Sequence, residues 1–311
     1  MPSMRAVRIH EFGSENVLRL ERVERPEPGG HEVLIKVMAA SVNPVDWKTR
    51  KGEYAMVGED DLPLTLGRDL AGEVAAVGNR VSEFKVGDRI FAMLDAKHGG
   101  YEEFASIPVS QLVGMPAGLS FDEAAAVPLA GMTAWQGLFQ NGNLKAGQRV
   151  LIHGGGGGVG HFAIQFAKAK GAWVATTVSP ADASLAKELG ADQVIDYHSE
   201  RFEEVIDPVD LVLDLIGGET QDRSFAILKE GGVIVSTLGE PDKAAAERSK
   251  VRAVGFMVNP NARQLAEIGE LIDQGKVNVV LHKVFPLEDA AAAQRALEQE
   301  HVQGKIVLRV A

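Results

Sequence analysis

Gly155, Gly157 and Gly160 carry the most readable chemistry in this 311-residue chain. They lie in and just after a run of five glycines, Gly154 to Gly158, and fit the spacing G-x-G-x-x-G. In that pattern the first glycine makes a tight turn and the second lets backbone approach a pyrophosphate. The third lets a helix pack close to a strand. The phosphates then sit on free N–H groups at a helix N-terminus, here the stretch that includes Gly158 and Val159. A phosphate loop of the G-x-x-x-x-G-K-[ST] type is excluded, because His161 and Phe162 follow Gly160. Taken alone, five glycines also read as a flexible loop, so the flanking elements decide.

Those flanks read as strand and helix. Val150-Leu151-Ile152 is a short apolar run. After the glycines, Val159, Phe162, Ala163, Phe166 and Ala167 recur at helical spacing and make one apolar face. Lys168 and Lys170 fall in the last turn and Gly171 is a stop signal. Sites that prefer NAD carry an acidic residue about 20 positions past the glycines. Ser179 stands 19 positions after Gly160 with no acid beside it, which favours NADPH over NADH. Ser179-Pro180-Ala181-Asp182 also reads as a helix start, with Ser179 as N-cap and Pro180 at the first helical position. Both roles can coexist.

Strand candidates at 149–153, 173–178, 193–196, 209–214, 232–237 and 251–256 alternate with helical patterns. That alternation predicts a parallel, doubly wound sheet. Such sheets bind ligands at the carboxyl ends of their strands, which adds Ile216, Leu238, Phe256 and Val258 as candidate cofactor contacts. The first 120 residues have a different texture. Short apolar runs at 33–37, 72–77 and 89–92 are separated by turn signals, which predicts a small barrel. Ser120 with Glu123 three residues on marks a helix start, and helices at 263–274 and 288–299 precede a last strand at 305–309.

Bulk properties narrow the class. A hydrophobic content of 45% and a charged content of 24% are ordinary for a globular chain. A net charge of −11 argues against a nucleic-acid partner. The absence of cysteine excludes disulfides, thiolate nucleophiles and cysteine-ligated zinc. The charged N-terminal stretch from Met1 to His10 does not match a signal peptide, and no apolar run is long enough for a membrane span. A cytoplasmic protein without a membrane partner is expected.

Several segments together resemble a known family. They are Ala39-Ala40-Ser41-Val42-Asn43-Pro44-Val45-Asp46-Trp47-Lys48, Leu66-Gly67-Arg68-Asp69-Leu70-Ala71-Gly72, Ala130-Gly131-Met132-Thr133-Ala134-Trp135 and Leu189-Gly190-Ala191-Asp192. The chain resembles zinc-free medium-chain dehydrogenases/reductases, in the quinone oxidoreductase (zeta-crystallin-like) branch. The resemblance implies an α/β chain in which a Rossmann doubly wound parallel sheet, residues 124–262, is inserted into a GroES-like β-barrel catalytic domain, residues 1–123 and 263–311. It implies NADPH-dependent hydride transfer to a small-molecule quinone or to the activated C=C of an enone or alkenal, and a homodimer paired through the strand Lys250 to Phe256.

Zinc members of the superfamily place cysteine near position 43 and Gly-His-Glu at 67–69. Here stand Asn43, Arg68 and Asp69. The resemblance therefore implies chemistry without zinc, and at Arg68 and Asp69 a local salt bridge is expected, with a substrate-facing role as the alternative. Family position makes Asn43, Lys48 and Tyr54 the candidates for stabilising an enolate or supplying a proton, with alanine at any one reducing turnover only partially. It makes Thr133 and Tyr197 cofactor contacts. Asp182 departs from NADPH-using relatives, which often have lysine there. His153 is expected to cap a strand end and His98 to be a loop residue. The alternative class is a non-catalytic NADPH-binding protein.

Overall fold

A computed structural model describes residues 2–311; Met1, at the head of the charged N-terminal stretch, lies outside the described residues. The chain divides into two compact units. The first comprises the chain up to Leu129, Pro260–Asp273 and Leu281–Ala311; the second comprises Ala130–Asn259 and Gln274–Val280. Among the described residues no helix is long and apolar enough to cross a membrane.

The first unit is β-rich. Its strands are β1 (Ser3–Ile9), β2 (Arg19–Glu24), β3 (Glu32–Val42), β4 (Leu64–Thr65), β5 (Asp69–Val77), β6 (Arg89–Met93), β7 (Phe104–Pro108) and β8 (Val113–Gly114). The long β3 is the organiser, pairing antiparallel with both β5 and β7. Helix α1 (Pro44–Arg50) follows β3, and α2 (Phe121–Ala125) starts at a capping box. There the Ser120 hydroxyl accepts from the Glu123 amide at 3.3 Å, and the Glu123 carboxylate accepts from the Ser120 amide at 2.8 Å. The core of this unit is filled by Val33, Ile35, Val37, Leu70, Ile90 and Ile107.

The second unit opens within α3 (Pro128–Trp135), which runs on as a π-helix over Gln136–Asn141. Six strands follow: β9 (Arg149–His153), β10 (Trp173–Val178), β11 (Gln193–Asp196), β12 (Val209–Asp214), β13 (Leu228–Ser236) and β14 (Arg252–Gly255). Helices α4 (Gly160–Ala169), α5 (Ala183–Glu188), α6 (Phe202–Val205), α7 (Gly218–Ser224) and α8 (Lys243–Ser249) connect them. All pairings are parallel and the spatial order is β11-β10-β9-β12-β13-β14. Numbered from the first strand of this unit, that is 3-2-1-4-5-6, the Rossmann order. The switch point lies between β9 and β12, so the crevice beyond their carboxyl ends is where a ligand binds.

After α9 (Ala262–Asp273), the segment Gln274–Val280 belongs to the second unit because Gln165 on α4 holds it. The Gln165 amide donates to the Asn278 carbonyl at 2.9 Å and accepts from the Asn278 amide at 2.7 Å. The chain then finishes in the first unit with β15 (Leu281–Pro286), α10 (Ala290–Gln299) and β16 (Lys305–Arg309). Strand β16 pairs antiparallel with the end of β3, which brings Lys305 beside Asn43.

Candidate functional site

The glycine turn links β9 to α4. Gly154 has φ +81°, a conformation that costs glycine little. A Cβ on Gly155 would overlap the Thr176 hydroxyl of β10, and one on Gly160 would overlap the Gly154 carbonyl oxygen. Those two positions need glycine for close packing. Gly157 differs: a Cβ there would meet only the Gly154 oxygen, at 3.5 Å, so that face of the turn is open. The amides of Gly158 and Val159 donate to no acceptor among the described residues. Helix α4 starts without a side-chain cap. An anion placed at this helix start would satisfy these amides and meet the positive end of the helix dipole.

Beside the turn, the strand ends present apolar side chains to solvent. Tyr197 follows β11, Ile216 follows β12, Leu238 follows β13 and Met257 follows β14, and each is between 49% and 59% exposed. Buried Asp214 shapes the turn after β12, accepting from the amides of Ile216 and Gly217 at 3.0 and 2.8 Å and from the Ser236 hydroxyl at 2.9 Å. The turn therefore holds Ile216 outward. Phe256 lies with its ring against Gly137 of the π-helix, and Val258 is half-buried. Gln136 clamps the following backbone, donating to the Asn259 carbonyl at 2.8 Å and accepting from its amide at 3.1 Å. Thr133 is buried on α3.

At the end of β10, Ser179 is not a side-chain cap. Its hydroxyl donates instead to the Asp182 carboxylate at 3.1 Å, while the Asp182 amide bonds the Ser179 carbonyl at 3.0 Å. The Asp182 carboxylate packs against the backbone of Gly156 in the glycine turn. His153 also does more than end a strand. It is fully buried, with Nδ1 bonded to the Thr177 hydroxyl at 3.0 Å and Nε2 to the Ser224 hydroxyl at 2.9 Å. Burial lowers its pKa to about 4, so it is neutral near pH 7. His98 is an exposed loop residue paired with Asp95 at 2.8 Å.

In the first unit, Asn43 sits at the centre of a buried polar knot. Its Oδ1 accepts from the Lys305 ammonium at 2.5 Å, and its Nδ2 donates to Asp69 at 2.8 Å and to the Ser41 hydroxyl at 3.3 Å. Asp69 also accepts from the Ser41 hydroxyl at 2.6 Å and from the Leu129 amide at 2.7 Å. Asp46 accepts from the Asn43 amide at 2.7 Å and from the Tyr101 hydroxyl at 3.0 Å. Burial raises both carboxyl pKa values, that of Asp46 to about 7, and lowers the Lys305 ammonium. Both N–H groups of the Asn43 amide are thus engaged inside the protein. Ser41, Asp46, Tyr101 and Lys305 were not singled out as site residues in the sequence; a lysine opening an otherwise apolar strand is the only trace they leave there.

The expected Arg68–Asp69 salt bridge is absent. Neighbours in extended chain point to opposite faces, and here Asp69 turns into the knot while Arg68 turns away. The Arg68 Nε donates to the Leu94 carbonyl at 2.8 Å and Nη1 to the Tyr54 hydroxyl at 3.2 Å. Tyr54 in turn donates to the Met56 sulfur at 3.3 Å. Lys48 is half-buried on α1, with Nζ 5.6 Å from the centre of the Trp47 ring. Arg68 and Tyr54 are therefore neighbours, whereas Asn43 belongs to a separate, sealed network.

Comparison with known proteins agrees with this anatomy. Residues 29–136 match the alcohol dehydrogenase GroES-like domain, and residues 189–308 match a family described as zinc-binding dehydrogenase. The chain is 35% identical to an Arabidopsis thaliana NADPH-dependent alkenal/one oxidoreductase, over 98% of this chain and 79% of that one. It is 33% identical to the Mus musculus quinone oxidoreductase, over 98% and 97%. The solved quinone oxidoreductase from Coxiella burnetii superposes with a TM-score of 0.93 at 38% identity, covering all of both chains. A Rossmann sheet carrying a glycine turn, joined in one chain to a GroES-like barrel and matched end to end by these relatives, fixes the family: the chain is an oxidoreductase of the medium-chain dehydrogenase/reductase superfamily and belongs to its quinone oxidoreductase branch.

Proposed function

We propose that the chain is an NADPH-dependent reductase that delivers hydride to a quinone or to the activated C=C of an enone or alkenal, and that it does so without zinc. The observation that carries this reading is the carboxyl edge of the parallel sheet. There a glycine turn with unpaired amides stands beside apolar side chains exposed one per strand end. The amides suit a pyrophosphate and the apolar side chains suit the flat rings at the two ends of a dinucleotide. When bound, the reduced nicotinamide supplies the hydride, and the protein's part is to position and to exclude water. Gly155, Gly157, Gly158, Val159 and Gly160 hold the phosphates. Thr133, Ile216, Leu238, Phe256 and Val258 are the proposed neighbours of the nicotinamide half. Ser179 and Tyr197 are the proposed neighbours of the adenosine phosphate.

The donors at the positions occupied by zinc ligands in the superfamily do not fit that metal. The Asn43 oxygen is taken by the Lys305 ammonium, and Arg68 is a cation. Among the described residues, no cluster of three His, Asp or Glu residues could hold an ion. Lys48 and Tyr54 are the proposed substrate-side residues of the barrel, and Asn43 is proposed to act from the buried knot it shares with Lys305 and Asp69. The proposed domain division is a cofactor domain over 124–262 between two parts of the catalytic domain. The protein is proposed to be cytoplasmic and dimeric, paired through β14, the outer strand of its sheet.

One observation favours NADH instead. The Asp182 carboxylate lies against the glycine turn and beside Ser179, where it would repel a 2′-phosphate and accept from a ribose hydroxyl. We propose that NADPH is still preferred and that Asp182 works against it. Asp182→Ser should then raise the NADPH-to-NADH ratio of kcat/KM roughly tenfold, about 1.4 kcal/mol. Better turnover of the wild type with NADH at low cofactor concentration contradicts the NADPH reading. The function as a whole is tested by oxidation of NADPH with benzoquinone and with methyl vinyl ketone in chelator-treated protein. Turnover supports the reductase, and tight cofactor binding with no turnover of either acceptor supports a non-catalytic NADPH-binding protein.

A further inference from the structure

Among the described residues only two arginines are buried, Arg50 and Arg68. Arg50 is fully enclosed and has its counter-charge: Nη2 lies 3.2 Å from the Glu298 carboxylate, and Nη1 donates to the Gln294 side chain at 3.0 Å. Arg68 is 9% exposed and has none. Its two partners, the Leu94 carbonyl and the Tyr54 hydroxyl, are neutral, and no carboxylate lies within ion-pair distance among the described residues. A cation held away from water without a partner costs several kcal/mol in general. A preorganised cation of this kind is suited to an anion that forms beside it.

The backbone around Arg68 holds the guanidinium in place. Gly67 has φ +97°, and a Cβ there would overlap the Tyr101 ring. Arg68 and Leu94 clasp each other twice, because the Leu94 amide donates to the Arg68 carbonyl at 2.7 Å while the Arg68 Nε donates back to the Leu94 carbonyl. These contacts fix Nε and Nη1. Nη2 has no acceptor among the described residues, yet it is not one of the sealed unpaired atoms, so it reaches solvent. A rigid guanidinium with one outward-facing, unpaired nitrogen is a preformed donor for a single anionic oxygen.

We infer that Arg68 is a catalytic residue that holds the oxyanion formed on the acceptor. This rests on the reductase reading proposed above. When hydride adds to the β-carbon of an enone, a C–H bond forms and the C=C electron pair moves to leave an enolate on the carbonyl oxygen. The dinucleotide loses two electrons and the enone gains them. The enolate is protonated at its α-carbon by water, which completes the saturated ketone. A quinone passes likewise through a phenolate oxygen, protonated to the hydroquinone. Arg68 Nη2 donates to that oxygen, and Tyr54, bonded to Nη1, keeps the guanidinium plane aimed.

The test uses full-length Arg68→Met and Arg68→Lys and two readouts besides turnover. Bound nitrophenol reports ionisation by its absorbance. The wild type should bind the phenolate and lower its apparent pKa, Arg68→Met should lose that preference, and Arg68→Lys should keep part of it. With methyl vinyl ketone, kcat of Arg68→Met should fall by roughly 10²–10³-fold while NADPH affinity is unchanged. Its melting temperature should hold or rise, since an uncompensated charge is removed. Unchanged kcat and nitrophenol ionisation in folded Arg68→Met would overturn the inference. So would an Arg68→Met variant that melts far below the wild type, because Arg68 would then be a structural brace for Leu94. If the wild type turns over no acceptor, the reductase reading fails by itself, and nitrophenolate binding still reports whether Arg68 forms an anion site.

Discussion

Arg68 and Asp69 are adjacent in sequence and meet opposite electrostatic surroundings. Asp69 enters a knot in which the charge of one buried ammonium, Lys305, is set against two buried carboxyls. Amide, hydroxyl and backbone donors fill the remaining lone pairs. Arg68 is buried almost as deeply and is met only by neutral acceptors. A knot whose charges are compensated internally has nothing left for a ligand, so it defines architecture. A cation left uncompensated has interaction energy in reserve, so it marks where charge develops.

Lys305→Met leaves Asp69 buried without its cation and should cost about 3–5 kcal/mol in denaturant unfolding. Arg68→Met, by contrast, should cost little. Equal losses in the two variants would erase the contrast. The second test asks whether charge pairing or shape sustains the knot. Adding Asp69→Asn to Lys305→Met should recover more than half of the loss, and additive losses would argue against the pairing. Next, Asn43→Ala removes the bridge between Lys305 and Asp69. It should cost about 1–3 kcal/mol, with turnover only partially reduced and NADPH affinity retained. Complete loss of turnover in a stable Asn43→Ala would instead place the Asn43 amide in direct hydrogen-bond contact with the reacting oxygen.

A further test of the compensated side is a pH dependence. The Asp46 carboxyl titrates at about 7 when folded, against 3.8 ordinarily, because it is buried. The folded state therefore holds a proton that the unfolded state has lost, and this contribution to stability fades as pH rises from 3.8 to about 7. His153 acts in the opposite sense. Its folded value near 4 lies below the ordinary 6.5, so its contribution is lost as pH falls through that interval. The two oppose each other in the wild type. In Asp46→Asn, whose amide oxygen can still accept from Tyr101 and from the Asn43 amide, the Asp46 part of the dependence is removed and that of His153 is kept. The melting temperature of Asp46→Asn minus that of the wild type should grow with pH across the Asp46 interval. A difference independent of pH would mean that Asp46 is not a buried acid.

The Rossmann half was readable because its strands are short apolar runs covered on both faces. Strands at 149–153, 173–178, 193–196 and 209–214 coincide with β9 to β12, and glycine spacing located the turn. The barrel half was harder. Only 33–37 of the eleven-residue β3 stood out, since Met38-Ala39-Ala40-Ser41 is weak strand sequence held in place by its pairing with β5 and β16. The knot was invisible because β16 and β3 are far apart in sequence and meet only in the folded sheet. The Arg68–Asp69 salt bridge was expected from the two positions that zinc ligands hold in relatives, but neighbours in extended chain point to opposite faces. Ser179 was read as a cap from its type, but its hydroxyl goes to a carboxylate three residues on.

The most direct test of the whole account is oxidation of NADPH by the chelator-treated wild type with methyl vinyl ketone, followed beside Arg68→Met of equal cofactor affinity. Steady turnover by the wild type and a loss of roughly 10²–10³-fold in the variant are expected. Tight NADPH binding with no turnover by the wild type, against this acceptor and benzoquinone alike, would contradict it.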